Sequence, residues 1–293
     1  MRYVYDEAAP EKEPSAAARP SPRYAAELRR ELSQRNVLWA RKNNFAHELS
    51  LGAVPAVLYR HDEEVGHGNF HRAAYARIRK NPEWERRLKK AHTSARKILL
   101  SRDRERRELD SSNSSDALLM SIFCHPQALG PGARLPALLG VDAETVPVFG
   151  YRPRVPLKSG RADTTEIDLR LGNLLMEAKL TEYDFQTAPW RLVERYRDCE
   201  EVFDLDDLPR SGGLVESYQL IRGVLAAHAE ENARFCVVCD ARRPDLIASW
   251  YRILRCVRCP GLGCRLMLVT WQEIHAACPP ALQRWLQEKY GIG

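Results

Sequence analysis

The chain has 293 residues, 44% of them hydrophobic, with 45 Lys or Arg against 39 Asp or Glu for a net charge of +6. That is enough apolar material for one large folded domain, or a core domain with an appendage. No apolar run approaches the ~20 residues of a membrane span, and the opening MRYVYDEAAP lacks the apolar core of a signal peptide, so a cytoplasmic location and no membrane partner are expected.

Residues 1–22 contain four prolines and no apolar period, and are expected to form a disordered tail. From Arg23, the spacing of Tyr24, Leu28 and Leu32, then Leu38, Phe45 and Leu49, predicts one or two helices. The following loop, to Gly68, carries no clear element. Asn69 is placed to cap a short helix bearing Phe70, Ala73, Ala74 and Ile78. Asn81-Pro82 ends it and starts another, because proline at the first helical position loses no hydrogen bond. Trp84, Leu88, Ala91, Ala95 and Ile98 then form one apolar stripe, leaving Arg86, Arg87, Lys89, Lys90, Arg96 and Lys97 on the flanks and outer face.

From Arg77 to Glu108 there are 13 Lys or Arg against 5 Asp or Glu, an excess larger than that of the whole chain. Residues 23–110 therefore read as a basic helical region, and Arg86, Arg87, Lys89 and Lys90 as its nucleic-acid contacts; a merely solvated helix face is the competing account. His61, His67 and His71 have no further ligand-type residues at metal spacing, so histidines satisfied by backbone or water are expected.

SSNSSD (111–116) supplies capping groups ahead of the apolar ALLMSIF, so a helix starts there and opens a second region, 111–293. Asn113, Ser114, Ser115 and Asp116 are each expected to act as simple caps, with a polar contribution to a neighbouring site as the alternative. TVPVFGY (145–151) reads as a strand whose Pro147 suits a sheet edge or an irregular start.

Two short apolar-rich runs then meet at Gly172-Asn173, a dipeptide favouring a two-residue hairpin turn. That register sets Leu171 opposite Leu174, Asp168 opposite Glu177 and Glu166 opposite Lys179, with all four polar groups on one face. Two carboxylates facing each other repel, and a divalent cation between them would relieve this. Lys179 would stand beside them to manage an attacking water. The plainer account is a surface hairpin in which Glu166 neutralises Lys179.

Asp168, a short gap and Glu177-Ala178-Lys179 resemble the catalytic signature of the PD-(D/E)xK, or restriction-endonuclease-like, nuclease superfamily, with Ile167 in place of the motif's proline. EAKLTEYDF, with SYQLIRG downstream, looks like the bacterial proteins of that class. The resemblance implies an α/β fold with a mixed β-sheet core flanked by helices, here preceded by the N-terminal helical region. It also implies a Mg²⁺- or Mn²⁺-dependent deoxyribonuclease that hydrolyses phosphodiester bonds in DNA, as an endonuclease leaving 5′-phosphate and 3′-hydroxyl ends. Asp168 and Glu177 would bind the metal with the Ala178 carbonyl, Lys179 would complete the catalytic set, and Glu166 and Gln219 would support it. Homodimerisation stays open. The alternative is a non-catalytic nucleic-acid-binding module, with structural zinc.

A helical stretch is expected from Trp190 to about Phe203, with Glu182 near the strand end either an outer ligand or a loop carboxylate in solvent. Leu214, Tyr218, Ile221 and Leu225 mark a helix over the sheet, from which Gln219 and Arg222 are expected to point toward substrate phosphate, an exposed helix glutamine being the plainer account of Gln219. RFCVVCD (234–240) reads as a strand buried on both faces. Leu246, Trp250, Ile253 and Val257 mark a helix opened by Pro244, CRLMLVTW (264–271) gives a further strand, and a last helix spans about 281–290.

The pairs Cys236-x2-Cys239 and Cys256-x2-Cys259 have zinc-ribbon spacing. A strand would send Cys236 and Cys239 to opposite faces, so buried free thiols are expected instead.

Overall fold

The structure is a computed structural model that describes residues 22–90 and 107–293. Of the tail expected at 1–22, residues 1–21 lie outside the described residues and Pro22 already begins the first helix; the continuation of the basic helix through Ala95 and Ile98 also lies outside them.

The chain opens with α1 (Pro22–Lys42), followed by two small hairpins: β1 (His47–Leu49) with β2 (Val57–Tyr59), and β3 (His61–Asp62) with β4 (Gly66–His67). β2, β3 and β4 occupy the stretch that the sequence left without elements, whereas β1 replaces the end of the predicted helical stretch, at Leu49; strands of two or three residues are too short to show a period. Then come α2 (Arg72–Lys80) and α3 (Pro82–Arg87). His71 rather than Asn69 caps α2, accepting the Ala73 N–H, whereas Asn81 caps α3 as expected, accepting from Glu83 and Trp84. Asn69 is instead fully buried, its amide donating to the carbonyls of Leu109 and Ser111.

After a short 3-10 turn come α4 (Ser115–Phe123), capped by Ser114, and α5 (Arg134–Leu139). The strands β5 (Val148–Tyr151), β8 (Ile167–Leu171) and β9 (Leu174–Ala178) follow, with the two-residue pair β6 (Val155–Pro156) and β7 (Ala162–Asp163) between β5 and β8. The insertion after β9 holds β10 (Ala188–Pro189), β11 (Arg210–Ser211) and β12 (Leu214–Val215), which form a small sheet around the single turns α6 (Arg191–Glu194) and α7 (Cys199–Val202). Then α8 (Tyr218–Ala229), β13 (Arg234–Cys239), α9 (Pro244–Arg255), α10 (Pro260–Gly263), β14 (Leu266–Thr270), α11 (Trp271–Ala277) and α12 (Pro280–Tyr290) complete the chain. Leu214 lies in β12 and is exposed, so the apolar stripe of the helix over the sheet begins at Tyr218. α11 was not anticipated: it begins at Trp271, directly after β14, behind a Thr270–Glu273 capping box.

The central sheet has the order β14-β13-β9-β8-β5. β14, β13 and β9 run parallel, while β8 and β5 are antiparallel additions, with β5 and its Pro147 at the edge. This is a mixed sheet with helices on both faces, the α/β restriction-endonuclease-like architecture expected. One face packs Val224, Leu225, Phe235, Val237 and Trp250 under α8 and α9. The other packs Leu28, Leu32, Leu118, Met176, Val238 and Trp271 under α1, α4, α11 and α12. Burying each such side chain is worth roughly 1.5–3 kcal/mol, so β9 and β13, buried on both faces, anchor the sheet. Gly223 of α8 lies against the Phe235 ring, where an added Cβ would come within 2.2 Å of it, so glycine lets helix and sheet approach this closely. A third cluster joins α2 and α3 to α4 through Phe70, Tyr75, Ile78, Trp84 and Met120. The basic region thus packs directly on the helix that opens the second region.

Candidate active site

The β8–β9 hairpin turns at Gly172-Asn173 with Leu171 opposite Leu174, Arg170 opposite Leu175 and Leu169 opposite Met176. The positive φ the turn needs falls on Gly172, at +57°. One pair further, the ladder ends for a chemical reason. Lys179 donates its N–H to Val238 O at 2.8 Å, so the peptide groups of the preceding residue, Ala178, face β8. There the Ala178 N–H is taken by the Asp168 side chain, with Oδ2 at 2.9 Å. Asp168 is thereby locked beside Glu177 on the α8 side of the sheet.

Glu177 and Lys179 are both buried, at 2% and 6% exposure. Lys179 Nζ donates to Glu177 Oε1 at 2.8 Å, and Gln219 Nε2, from the first turn of α8, donates to the same oxygen at 2.8 Å. Gln219 is placed there because its own N–H and that of Tyr218 bond the carbonyls of Phe185 and Gln186. Trp271 Nε1 donates to Lys179 O at 2.9 Å, fixing the strand end from the opposite side. Glu182 curls back over that end, accepting from the Leu180 N–H at 2.6 Å and from Ser115 Oγ at 2.7 Å.

Glu166 does not pair with Lys179. It lies beyond the ladder and instead accepts from Arg87 Nη2 at 2.8 Å, with Lys90 Nζ at 3.5 Å. Both cations also hold Asp116 of α4, Arg87 Nη2 at 3.0 Å and Lys90 Nζ at 2.6 Å from Oδ2. Arg87 and Lys90 are therefore turned inward, which corrects their placement on the outer face; Arg86 and Lys89 stay exposed, Arg86 pairing with Glu83. Room for Arg87 is made by Gly150 of β5, at φ +66°, where a Cβ would lie 2.1 Å from Arg87 Nη1. Arg222 is likewise not available to phosphate: it is buried and donates to the carbonyls of Thr165 and Glu166, at 2.7 and 2.9 Å.

The electrostatics follow from this geometry. Burial, then Glu177 and Asp116, push the Asp168 carboxyl well above the usual carboxylate range, against the pull of Lys179 and the Ala178 N–H. Burial disfavours the Lys179 ammonium, but Glu177, Glu182 and Asp168 more than offset it and keep it charged. Burial also opposes ionisation of Asp116 and Glu166, yet Arg87 and Lys90 hold both below their ordinary values. The cluster around Asp168 and Glu177 is thus short of positive charge, while its neighbour around Asp116 is neutralised.

Asp168 Oδ1 and Glu177 Oε2 take no hydrogen bond among the described residues. Gln219 Oε1 is buried nearby, also without a partner. Two hard carboxylate oxygens, an unused amide oxygen and a deficit of positive charge fit a divalent cation. Among the described residues no group of three or more His, Cys, Asp or Glu side chains could hold a metal, so an ion here would draw its remaining ligands from backbone, water or substrate, as Mg²⁺ commonly does.

Asp168, Glu177, Lys179 and Gln219 are brought together as the sequence predicts. Ser114 is the simple cap expected of it, but Asp116 is a buried ion-pair partner and Ser115 holds Glu182. What sequence reasoning missed is the anchoring of Asp116 and Glu166 by Arg87 and Lys90. One signal was present: Asp116 precedes an apolar run in which it sits buried, and a buried Asp requires a cation. The cysteines carry no disulfide, and Cys236 and Cys239 lie in the cores on opposite faces of the sheet. His67 Nε2 meets Asp110 Oδ1 at 3.2 Å, His61 meets Tyr75 and His71 caps α2.

The family described as restriction endonuclease associating with ARP matches residues 38–291. No curated protein and no solved structure gives a match.

Proposed function

This chain belongs to the family of restriction endonucleases associating with ARP, and on that premise we propose that it is a Mg²⁺-dependent endonuclease that hydrolyses phosphodiester bonds in DNA. The observation that carries the proposal is the pair of unclaimed oxygens, Asp168 Oδ1 and Glu177 Oε2, on one face beside the Lys179 ammonium. Asp168 and Glu177 would hold Mg²⁺ or Mn²⁺, with the Ala178 carbonyl alongside. Such an ion supplies Lewis-acid activation of the phosphate and lowers the pKa of bound water.

The chain's own groups do the rest. Lys179, held charged by its neighbours, offsets the negative charge that grows on the phosphate oxygens and hydrogen-bonds the incoming water. Gln219 fixes the Glu177 carboxylate through Oε1 and so sets the direction of its other oxygen. The Arg87–Asp116–Lys90–Glu166 cluster is a positioning device, because it ties α3 and α4 to the start of β8, two residues before Asp168. The exposed Arg86 and Lys89 serve the DNA backbone on the approach side.

The test is cleavage of plasmid and oligonucleotide DNA in Mg²⁺ or Mn²⁺, comparing the wild type with Asp168→Ala and Lys179→Ala. The wild type should nick or cut, leaving 5′-phosphate and 3′-hydroxyl ends, and both variants should lose at least about 10²-fold in rate. Equal rates in all three, or salt-dependent DNA binding with no metal-dependent cleavage, would discard the nuclease in favour of a binding module.

A further inference from the structure

A cavity of about 410 Å³ lies between α1, α2 and α12, none of which carries Asp168, Glu177 or Lys179. Its walls are aromatic: Trp39, Phe45, Phe70, Tyr75 and Trp285. Trp39 and Phe45 stack at 6.2 Å with 29° between their planes, and Phe70 and Tyr75 at 5.3 Å with 27°. Side chains this apolar normally close on one another, since burial favours collapse. Here they leave an opening in the size range of small-molecule sites.

The rim is cationic. Arg72, the first residue of α2, and Arg284 of α12 are both exposed, and neither has an ion-pair partner among the described residues. Glu288, also at the rim, is engaged by Lys42 at 3.0 Å. Two guanidinium groups free to take up an oxyanion thus stand over flat aromatic walls.

The polar groups of the lining include an acceptor and two donors, one of them Trp285 Nε1, which is buried without a partner among the described residues. His71 Nδ1 accepts the Ala73 N–H at 3.2 Å, so the neutral ring carries its proton on Nε2, and burial favours that neutral form. Asn43 Nδ2 donates to Trp39 O at 2.8 Å, leaving its Oδ1 as an acceptor. A heteroaromatic ring with both donor and acceptor edges and an attached phosphate matches each of these features: stacking for the ring, polar groups for its edge, arginines for the phosphate.

We infer that this cavity binds a single nucleotide, its base among the aromatic walls and its phosphate on Arg72 and Arg284. The nucleotide is either free or one residue of a nucleic-acid strand turned out of its stack; the chemistry recognised is the same.

The experiment uses the full chain in EDTA, so that its outcome is independent of hydrolysis and its failure leaves the nuclease assignment standing. Tryptophan fluorescence and calorimetry are followed on titration with the nucleoside 5′-monophosphates, the corresponding nucleosides, inorganic phosphate and a single-stranded oligonucleotide. Arg72→Ala, Arg284→Ala and Trp39→Ala are compared with the wild type after melting curves show each is folded. At least one monophosphate should saturate at one equivalent, with its nucleoside and inorganic phosphate each at least about tenfold weaker. Each arginine substitution should cost a similar factor. An oligonucleotide that competes with the free nucleotide and is weakened by the same substitutions identifies a strand as the source; one that does not compete identifies the free nucleotide. Absence of saturable binding at millimolar concentration, or affinities unchanged in all three variants, overturns the inference.

Discussion

Lys179 Nζ stands 2.8 Å from Glu177 Oε1 with both side chains almost fully buried, so the ammonium is held in place by the carboxylate it serves beside. A buried charge pair of this kind tolerates neither loss nor change of shape. Lys179→Arg should therefore fail to restore cleavage, because the planar guanidinium cannot reuse the position of a compact ammonium. Gln219→Ala removes one of the two donors on Glu177 Oε1, leaving Lys179, without removing a charge, and should lower kcat with little change in KM. Steady-state kinetics on an oligonucleotide check both; wild-type rates in Lys179→Arg would remove Lys179 from the reaction.

The raised Asp168 pKa makes a stability prediction. Because the folded state binds this proton more tightly than the unfolded chain, the stability it contributes is complete below the ordinary carboxylate value. It is lost as pH rises toward the folded value. Asp168→Asn keeps an acceptor for the Ala178 N–H and removes the charge. In EDTA, the variant should melt above the wild type near neutral pH, with the gap narrowing as pH falls through the carboxylate range. Mg²⁺ should raise the melting temperature of the wild type and leave the variant unchanged.

The Asp116 cluster has the opposite sign. Asp116 and Glu166 both have folded pKa values below their ordinary ones. Their contribution is present above the ordinary carboxylate values and lost as pH falls through the folded ones. Asp116→Ala leaves Arg87 and Lys90 without their buried partner, and urea unfolding at neutral pH should show a loss of roughly 3–5 kcal/mol. The difference from wild type should shrink in acid. Gly150→Ala, which drives a methyl group into Arg87, should reproduce part of the same loss and slow cleavage without touching a carboxylate.

Lys289 is fully buried, donates to Asn36 Oδ1 and Asn69 Oδ1, and lies 4.6 Å from the ring centres of Tyr59 and Tyr290. Burial pushes its pKa well below the ordinary lysine value. The folded state therefore disfavours this proton, and stability rises as pH increases toward 10.5. Lys289→Met should flatten that rise. Chemical denaturation of both proteins at a series of alkaline pH values measures the difference in slope.

The hairpin and the α/β core could be read from the sequence because their causes are local. Gly172-Asn173 selects the turn, and a two-residue turn leaves one register that keeps Leu169, Leu171, Leu174 and Met176 in the core. RFCVVC is marked by an unbroken apolar run and the stripe from Leu246 to Ile253 by its helical period. Glu166 was misassigned because the register was extended past the point where Asp168's side chain replaces a strand carbonyl, and a sequence pattern does not mark where a ladder ends. The inward turn of Arg87 and Lys90 was invisible for another reason. It depends on contacts with Asp116 and Glu166, 29 and 79 residues from Arg87, and on Gly150 lacking a Cβ. The small hairpins before α2 were missed because their strands are too short to set a period.

The central claim is that Asp168 and Glu177 share one divalent cation. Its most direct test is anomalous diffraction from crystals of the wild-type protein soaked in Mn²⁺. The account predicts a single strong peak within coordination distance of both carboxylates and beside Lys179. An empty site at saturating Mn²⁺, or the ion bound elsewhere while Asp168 and Glu177 remain without it, would contradict it.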